Sequence, residues 1–145
     1  PQWSERSPII EGSFKEFLNN TVNSNTYEKG LGLELFSKKL LEAMGWQIEH
    51  SGQSGDGGVD LIGLKSDDLT TTKIVIQCKH QDSVAEDVVV QTFGKAQSEN
   101  ADRAYVITSG QFTQNAKAFA DANKTKIVLI DGVKLKELSE QYLDI

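Results

Sequence analysis

The sequence holds a single cysteine, Cys78, so no internal disulfide can form. Such sparing use of thiols fits a reducing compartment, and a cytoplasmic location is the expectation. Only 2 prolines accompany 12 glycines, which excludes collagen-like order and low-complexity disorder. No stretch approaches the 18 or so consecutive apolar residues of a membrane span, and the opening Pro-Gln-Trp-Ser-Glu-Arg has no hydrophobic signal core, so no membrane partner is expected. Basic residues are also scarce: Lys and Arg number 15 against 21 Asp and Glu, a net charge of −6. A domain that gripped nucleic acid by charge alone would be basic, because phosphate neutralisation supplies most non-specific affinity. The balance leaves room for an enzyme whose substrate is delivered by another domain or subunit. At 145 residues, 38% hydrophobic and 25% charged, the chain reads as one globular domain. A domain of that size buries roughly 68–70% of its unfolded surface, enough to need no disulfide or structural metal.

Residues 1–29 carry both prolines and the polar run from Asn19 to Thr26, and read as an N-terminal extension with a short helix near Ser13–Leu18 followed by a loop. The rest, 30–145, reads as the folded domain. From Leu31 the positions Leu33, Phe36, Leu40, Leu41 and Met44 recur at helical spacing, and Gly45 stops the helix. Trp46 to His50 alternates as a short strand. Four glycines within Ser51–Gly58 make a turn, and two strands, Val59–Leu64 and Lys73–Lys79, are joined by a polar turn as a hairpin. Asp87–Gln97 fits a helix with Val88, Val89, Phe93 and Ala96 inward, then a strand Ala104–Thr108. A helix Thr113–Ala122 with Thr113 as N-cap, a strand Ile127–Ile130 and a last helix Val133–Leu143 complete the chain. The order αβββαβαβα predicts an α/β fold, a mixed sheet flanked by helices whose later strands pair in parallel.

Strand period 2 puts Val75, Gln77 and Lys79 on one face of their strand and Ile74, Ile76 and Cys78 on the other. A central strand is expected to be nearly all apolar, so Gln77 and Lys79 are out of place unless they look into a polar cleft. The competing view is that the strand simply ends there and Lys79 snorkels into solvent. Asp60, just past the glycine turn, weighs for a cleft, because an antiparallel neighbour sets its carboxylate beside the polar end of the Gln77 strand. A carboxylate, an amide oxygen and an ammonium at one sheet edge suit a divalent cation that keeps several waters, with the lysine offsetting developing negative charge. The glycine-rich turn lacks dinucleotide spacing and precedes a strand, and two His with one Cys make no structural zinc site.

Gly55-Asp56-Gly57-Gly58-Val59-Asp60-Leu61-Ile62 and Ile74-Val75-Ile76-Gln77-Cys78-Lys79 resemble the core of the Mrr-like restriction endonucleases, a branch of the PD-(D/E)xK nucleases in which Gln replaces the middle acid. The likeness extends to Leu33-Glu34, Leu40-Leu41, Gly45-Trp46, Val90-Gln91-Thr92-Phe93-Gly94 and Ile107 to Thr113, over roughly residues 30–138. It implies a restriction-endonuclease-like fold and Mg²⁺-dependent phosphodiester hydrolysis leaving a 5′ phosphate, with Mn²⁺ able to substitute. Carried over by position, it makes Asp60 the main metal ligand, puts Gln77 in the second acidic place and the Cys78 backbone carbonyl in the metal shell, and has Lys79 orient or activate the attacking water. Glu34 matches the helix acid that reaches the metal directly or through water. Near a helix N-terminus such an acid is also favoured by the dipole alone. Asp56 reads as a turn residue, His50 as a strand-end residue and Cys78 as a small core hydrophobe.

The implied partner is double-stranded DNA. Between Gln81 and Asp102, five acids oppose only Lys95, so Lys38, Lys39, Lys73, Lys79 and His80 are the better candidates for phosphate contact, while Gln91 reads either as a DNA-binding residue facing the cleft from the helix after Lys79 or as an ordinary exposed helical Gln. A double-strand cut needs two active sites, which implies a homodimer on DNA or fusion to a recognition or motor domain. Two rival readings keep the fold: a structure-specific or repair nuclease, since fold does not fix substrate, and a catalytically silent DNA-binding module.

Overall fold

A computed structural model describes residues 29–51 and 59–143. The short helix expected at 13–18 and the glycine turn fall outside the described residues, apart from Ser51. Helix α1 spans Lys29–Ala43 and buries Leu33, Phe36, Leu40 and Leu41 along one stripe. Gly45 ends it in the left-handed conformation, φ 104°. The Gly45 N–H donates to the Glu42 carbonyl and the Trp46 N–H to the Leu41 carbonyl, each at 3.0 Å, and these two bonds close a Schellman motif. Trp46 and Leu41 then pack in the same core cluster, so the helix stop also fixes how the chain enters β1, Gln47–His50.

Strands β2 (Leu61–Ser66) and β3 (Thr71–Lys79) form the expected hairpin, with Leu61 opposite Ile76 and Ser66 opposite Thr71. Its turn is tighter than the polar composition of 65–72 implied, because the Asp67 carboxylate accepts the N–H groups of Leu69 (2.8 Å) and Thr70 (2.9 Å), leaving only 67–70 outside the ladder. These bonds hold the exposed Asp67 carboxyl below the usual range. At the other end β2 begins at Leu61, two residues later than the apolar run suggested, so Val59 and Asp60 precede the ladder.

Two strands of two residues, β4 (Ser83–Val84) and β6 (Gln111–Phe112), pair in parallel apart from the main sheet, and neither is legible as a periodic run. Helix α2 is Glu86–Ser98, β5 Arg103–Thr108, α3 Gln114–Ala122, β7 Ile127–Ile130 and α4 Gly132–Tyr142. Thr113 caps α3 as expected, its hydroxyl accepting from the Ala116 N–H, and Asp131 caps α4 in the same way through Lys134.

The five-stranded sheet has the order β1-β2-β3-β5-β7, antiparallel through β3 and parallel from β3 onward. Helices cover both faces. On one, Ile74, Ile76, Cys78, Ile107 and Ile130 pack with Leu33, Leu40 and Leu41 of α1 and Leu135 of α4. On the other, Val106 and Ile127 meet Val89 of α2 and Ala116 and Ala120 of α3, with Val75, Ala96 and Ala104 alongside. The alternation read from β3 therefore holds. Truncating a fully buried leucine such as Leu40 or Leu61 to Ala costs about 2–5 kcal/mol in such a core. Among the described residues no helix is long and apolar enough to cross a membrane.

Candidate active site

The parallel strands β3 and β5 end side by side, Lys79 opposite Thr108, and four buried polar residues lie there. Asp60, Gln77, Thr108 and Ser109 are all buried. Continuing the β2–β3 register one step past Leu61 and Ile76 sets Asp60 across from Gln77. The Asp60 N–H donates to the Ile76 carbonyl at 2.8 Å, and one Asp60 carboxylate oxygen accepts the Cys78 N–H at 2.8 Å. Backbone and side chain of Asp60 are thus both tied to β3.

Burial pushes the Asp60 carboxyl above its ordinary range, opposed by the Cys78 N–H, a hydrogen bond with Glu34 and the nearby charge of Lys79. Glu34 comes from α1 and meets Asp60 at the end of the sheet. It sits in the second turn of α1, not the first as the sequence suggested, so the helix dipole gives it little reason to be acidic. Its Oε1 lies 3.6 Å from His50 Nδ1 at the end of β1.

Gln77 is 3% exposed, and its Oε1 has no hydrogen-bond partner. A buried amide oxygen left unpaired is costly, so one without a protein donor at this end of the sheet is the mark of a position that a cation or water completes. Among the described residues no three His, Cys, Asp or Glu side chains form a cation cage. A divalent ion here would rely on Asp60 and Glu34 with neutral oxygens, the Gln77 amide and the Cys78 carbonyl, which is the donor chemistry of magnesium or manganese. The Cys78 thiol itself lies in the core, where burial pushes its pKa up and keeps it from acting as thiolate or ligand.

Beyond Lys79, His80 Nδ1 is hydrogen-bonded to the Ser109 hydroxyl. The Thr108 hydroxyl bonds the Gln81 carbonyl, and the Gln111 N–H donates to the Asp82 carbonyl at 3.0 Å. Gly110 makes this crossing possible, since a Cβ there would fall 2.2 Å from the Gln81 carbonyl oxygen and 2.4 Å from that of Asp82. The loop after β5 thereby clamps the segment that carries Lys79 and His80.

The structure thus brings together Glu34, Asp60, Gln77, Lys79 and the Cys78 backbone, with His80 beside them. Other residues singled out from the sequence lie elsewhere. Lys38 is one turn along α1 from Glu34 and pairs with Glu42 at 3.2 Å, and Lys39 is exposed beside it. Gln91 is exposed in the second turn of α2. Lys73 lies at the opposite end of β3 from Lys79, about 20 Å away at ~3.3 Å per residue. Its Nζ donates to the Glu99 carbonyl at 3.0 Å and its backbone N–H to the Asp102 carboxylate, so it ties β3 to the end of α2 and is not grouped with the cleft. The residues that sequence reasoning passed over are His50, Ser51 and Ser109. The first two could have been found by counting the antiparallel register, which sets His50 opposite Leu61 and so next to Asp60.

The family model of the Mrr catalytic domain, described as restriction endonuclease, matches residues 28–139. An uncharacterized mitochondrial protein of Schizosaccharomyces pombe is 32% identical over 98 residues, covering 64% of this chain and 40% of that protein. The type IV methyl-directed restriction enzyme EcoKMrr of Escherichia coli K12 is 32% identical over 92 residues, covering 63% of this chain and 30% of the enzyme. The chain therefore spans less than half the length of these curated relatives. In solved structures, the DNA modification-dependent restriction endonuclease AspBHI superposes with a TM-score of 0.75 over 94% of this chain and 36% of its own, at 12% identity, a likeness of fold. With 112 of 145 residues inside the family match and the same mixed sheet flanked by helices, this chain belongs to the Mrr-type restriction endonuclease catalytic-domain family.

Proposed function

We propose that this domain hydrolyses phosphodiester bonds of double-stranded DNA as the cleavage module of a restriction enzyme, with target choice made elsewhere. The observation that carries the reading is the buried Gln77 Oε1, unpaired and set across the β2–β3 register from Asp60, beside Lys79 at the open end of the sheet. Asp60, Gln77, the Cys78 carbonyl and Glu34 would hold a divalent ion, Mg²⁺ or in its place Mn²⁺. When bound, that ion supplies Lewis-acid polarisation of the phosphate and a more acidic water.

The chain's own residues supply the rest. Asp60 is held by Cys78 and β3, so its carboxylate needs little reorganisation before it acts. Lys79 extends from the same strand two residues on, on the face of Gln77, where its ammonium can hold a water in line with the phosphorus and offset charge as it builds on the phosphoryl oxygens. His80, fixed by Ser109, is the nearest candidate to contact the neighbouring phosphate. Lys38 and Lys39 face outward from α1 and remain candidates for more distant backbone contact, while Gln91 would take part only if DNA reaches over α2. The net charge of −6 supports a division of labour in which another domain or a second copy brings the DNA, and in which a double-strand cut uses two such domains.

The test is plasmid cleavage with Mg²⁺, Mn²⁺ or EDTA on methylated and unmethylated DNA, comparing wild type with Asp60→Ala. Metal-dependent nicking or linearisation by the wild type, lost in the variant, is the expected result. A folded protein whose nicking persists in EDTA or in Asp60→Ala would overturn the reading.

A further inference from the structure

The two acids at the site are on different elements, and neither is held by its own element alone. Glu34 projects from the second turn of α1, while Asp60 lies before β2 begins, outside the ladder. Both are met by the last residue of β1, His50, and the residue after it, Ser51. The Ser51 N–H donates to the Asp60 carbonyl at 3.1 Å, and the Ser51 hydroxyl donates to the Val59 carbonyl at 2.8 Å. One residue therefore grips two successive carbonyls of the segment that aims Asp60. Its neighbour His50 is locked in the ladder opposite Leu61 and turns its Nδ1 to Glu34 Oε1 at 3.6 Å. That distance is too long for a hydrogen bond and is right for an electrostatic contact. Glu34 in turn hydrogen-bonds Asp60, so the contacts run from β1 through both carboxyls to the Cys78 N–H.

Resting on the metal-site reading above, we propose that His50 and Ser51 form a positioning unit, in which Ser51 aims Asp60 by holding the backbone in front of it and His50 sets the orientation of Glu34. Neither residue touches the reacting atoms. Their work is to keep two acids from different elements converged, the role that outer-shell hydrogen bonds play around metal ligands, where loss typically costs about 10–100-fold in affinity. His50 is about half exposed, so its removal leaves the core intact.

The test uses the full chain in two states. In the metal-free protein, amide hydrogen exchange at Cys78 reports whether the Asp60 carboxylate still accepts its N–H. Exchange is expected to be about tenfold faster in Ser51→Ala and near wild type in Ser51→Thr, which keeps the hydroxyl. Mn²⁺ binding by calorimetry is expected to weaken about tenfold in both Ser51→Ala and His50→Ala, to recover in Ser51→Thr, and to vanish in Asp60→Ala. Wild-type Mn²⁺ affinity in both alanine variants, with binding still abolished in Asp60→Ala, would overturn the positioning unit alone. Undiminished Mn²⁺ binding in Asp60→Ala would overturn the metal-site reading and the proposal with it.

Discussion

Gly110 offers the sharpest link between packing and the site. A methyl group built there would stand 2.2 Å from the Gln81 carbonyl oxygen, 2.4 Å from that of Asp82 and 2.7 Å from the Asp82 carbonyl carbon, all backbone atoms that cannot swing aside. Relief requires the β3–β4 connection and the loop after β5 to separate by about 1 Å, and overpacking of this kind typically costs about 1–3 kcal/mol. For a domain of this size that is a fall in Tm of roughly 2–12 °C. The separation strains the Thr108 to Gln81 and Gln111 to Asp82 bonds and the His80 to Ser109 contact, so Lys79 and His80 lose their clamp. Gly94 is the control: it lies on the exposed face of α2 with nothing within 4 Å of a built Cβ. Gly94→Ala should gain about 0.8–1.0 kcal/mol from helix propensity. Thermal unfolding of both variants is the assay. A Gly110→Ala protein that melts with the wild type would show that the two loops are not in forced backbone contact at Gly110.

Asp60→Asn tests the electrostatics of the metal-free site. Folding raises the Asp60 carboxyl above its unfolded value of 3.8, so the neutral acid's contribution to stability is full below pH 3.8 and is lost as pH rises through the folded value. The variant, which cannot ionise, should therefore melt above wild type at pH 7 and match it near pH 3, and a lower melting point at pH 7 would contradict the sign. Gln77→Glu places a second carboxylate beside Asp60 in a buried position, so the metal-free protein should lose stability at pH 7 and added Mn²⁺ should raise its Tm by more than it raises that of wild type. Equal Mn²⁺ shifts would count against Gln77 as a ligand position. Thr113→Ala removes the cap bond to Ala116 and should cost about 1 kcal/mol in denaturant unfolding, with Thr113→Ser recovering most of it.

How far the sequence discloses this architecture depends on whether a residue's signal is local. Alternation along β3 separated the core residues Ile74, Ile76 and Cys78 from Gln77 and Lys79, because the period of a strand is a property of the chain itself. The same locality made Gly45 and Thr113 readable as a helix stop and a cap. Two-residue strands such as β4 and β6 carry no period and escaped notice. His50 looked like any strand-end histidine because its meaning lies in Glu34, sixteen positions earlier on another element, and in the register that sets it next to Asp60. Lys73 reads as a DNA-contact candidate on charge alone. Its distance from Lys79 follows only once the strand is known to run unbroken from Thr71, and its partners Glu99 and Asp102 are contributed by the end of α2 and the residues before β5.

Whether Lys79 acts on the water and the phosphate while Asp60 and its neighbours hold the ion is tested most directly by plasmid cleavage with Lys79→Ala under Mn²⁺ concentrations that saturate the wild type. Cleavage is expected to fall by about 100-fold or more in a protein that still binds Mn²⁺ with wild-type affinity. Cleavage at the wild-type rate would contradict that role for Lys79.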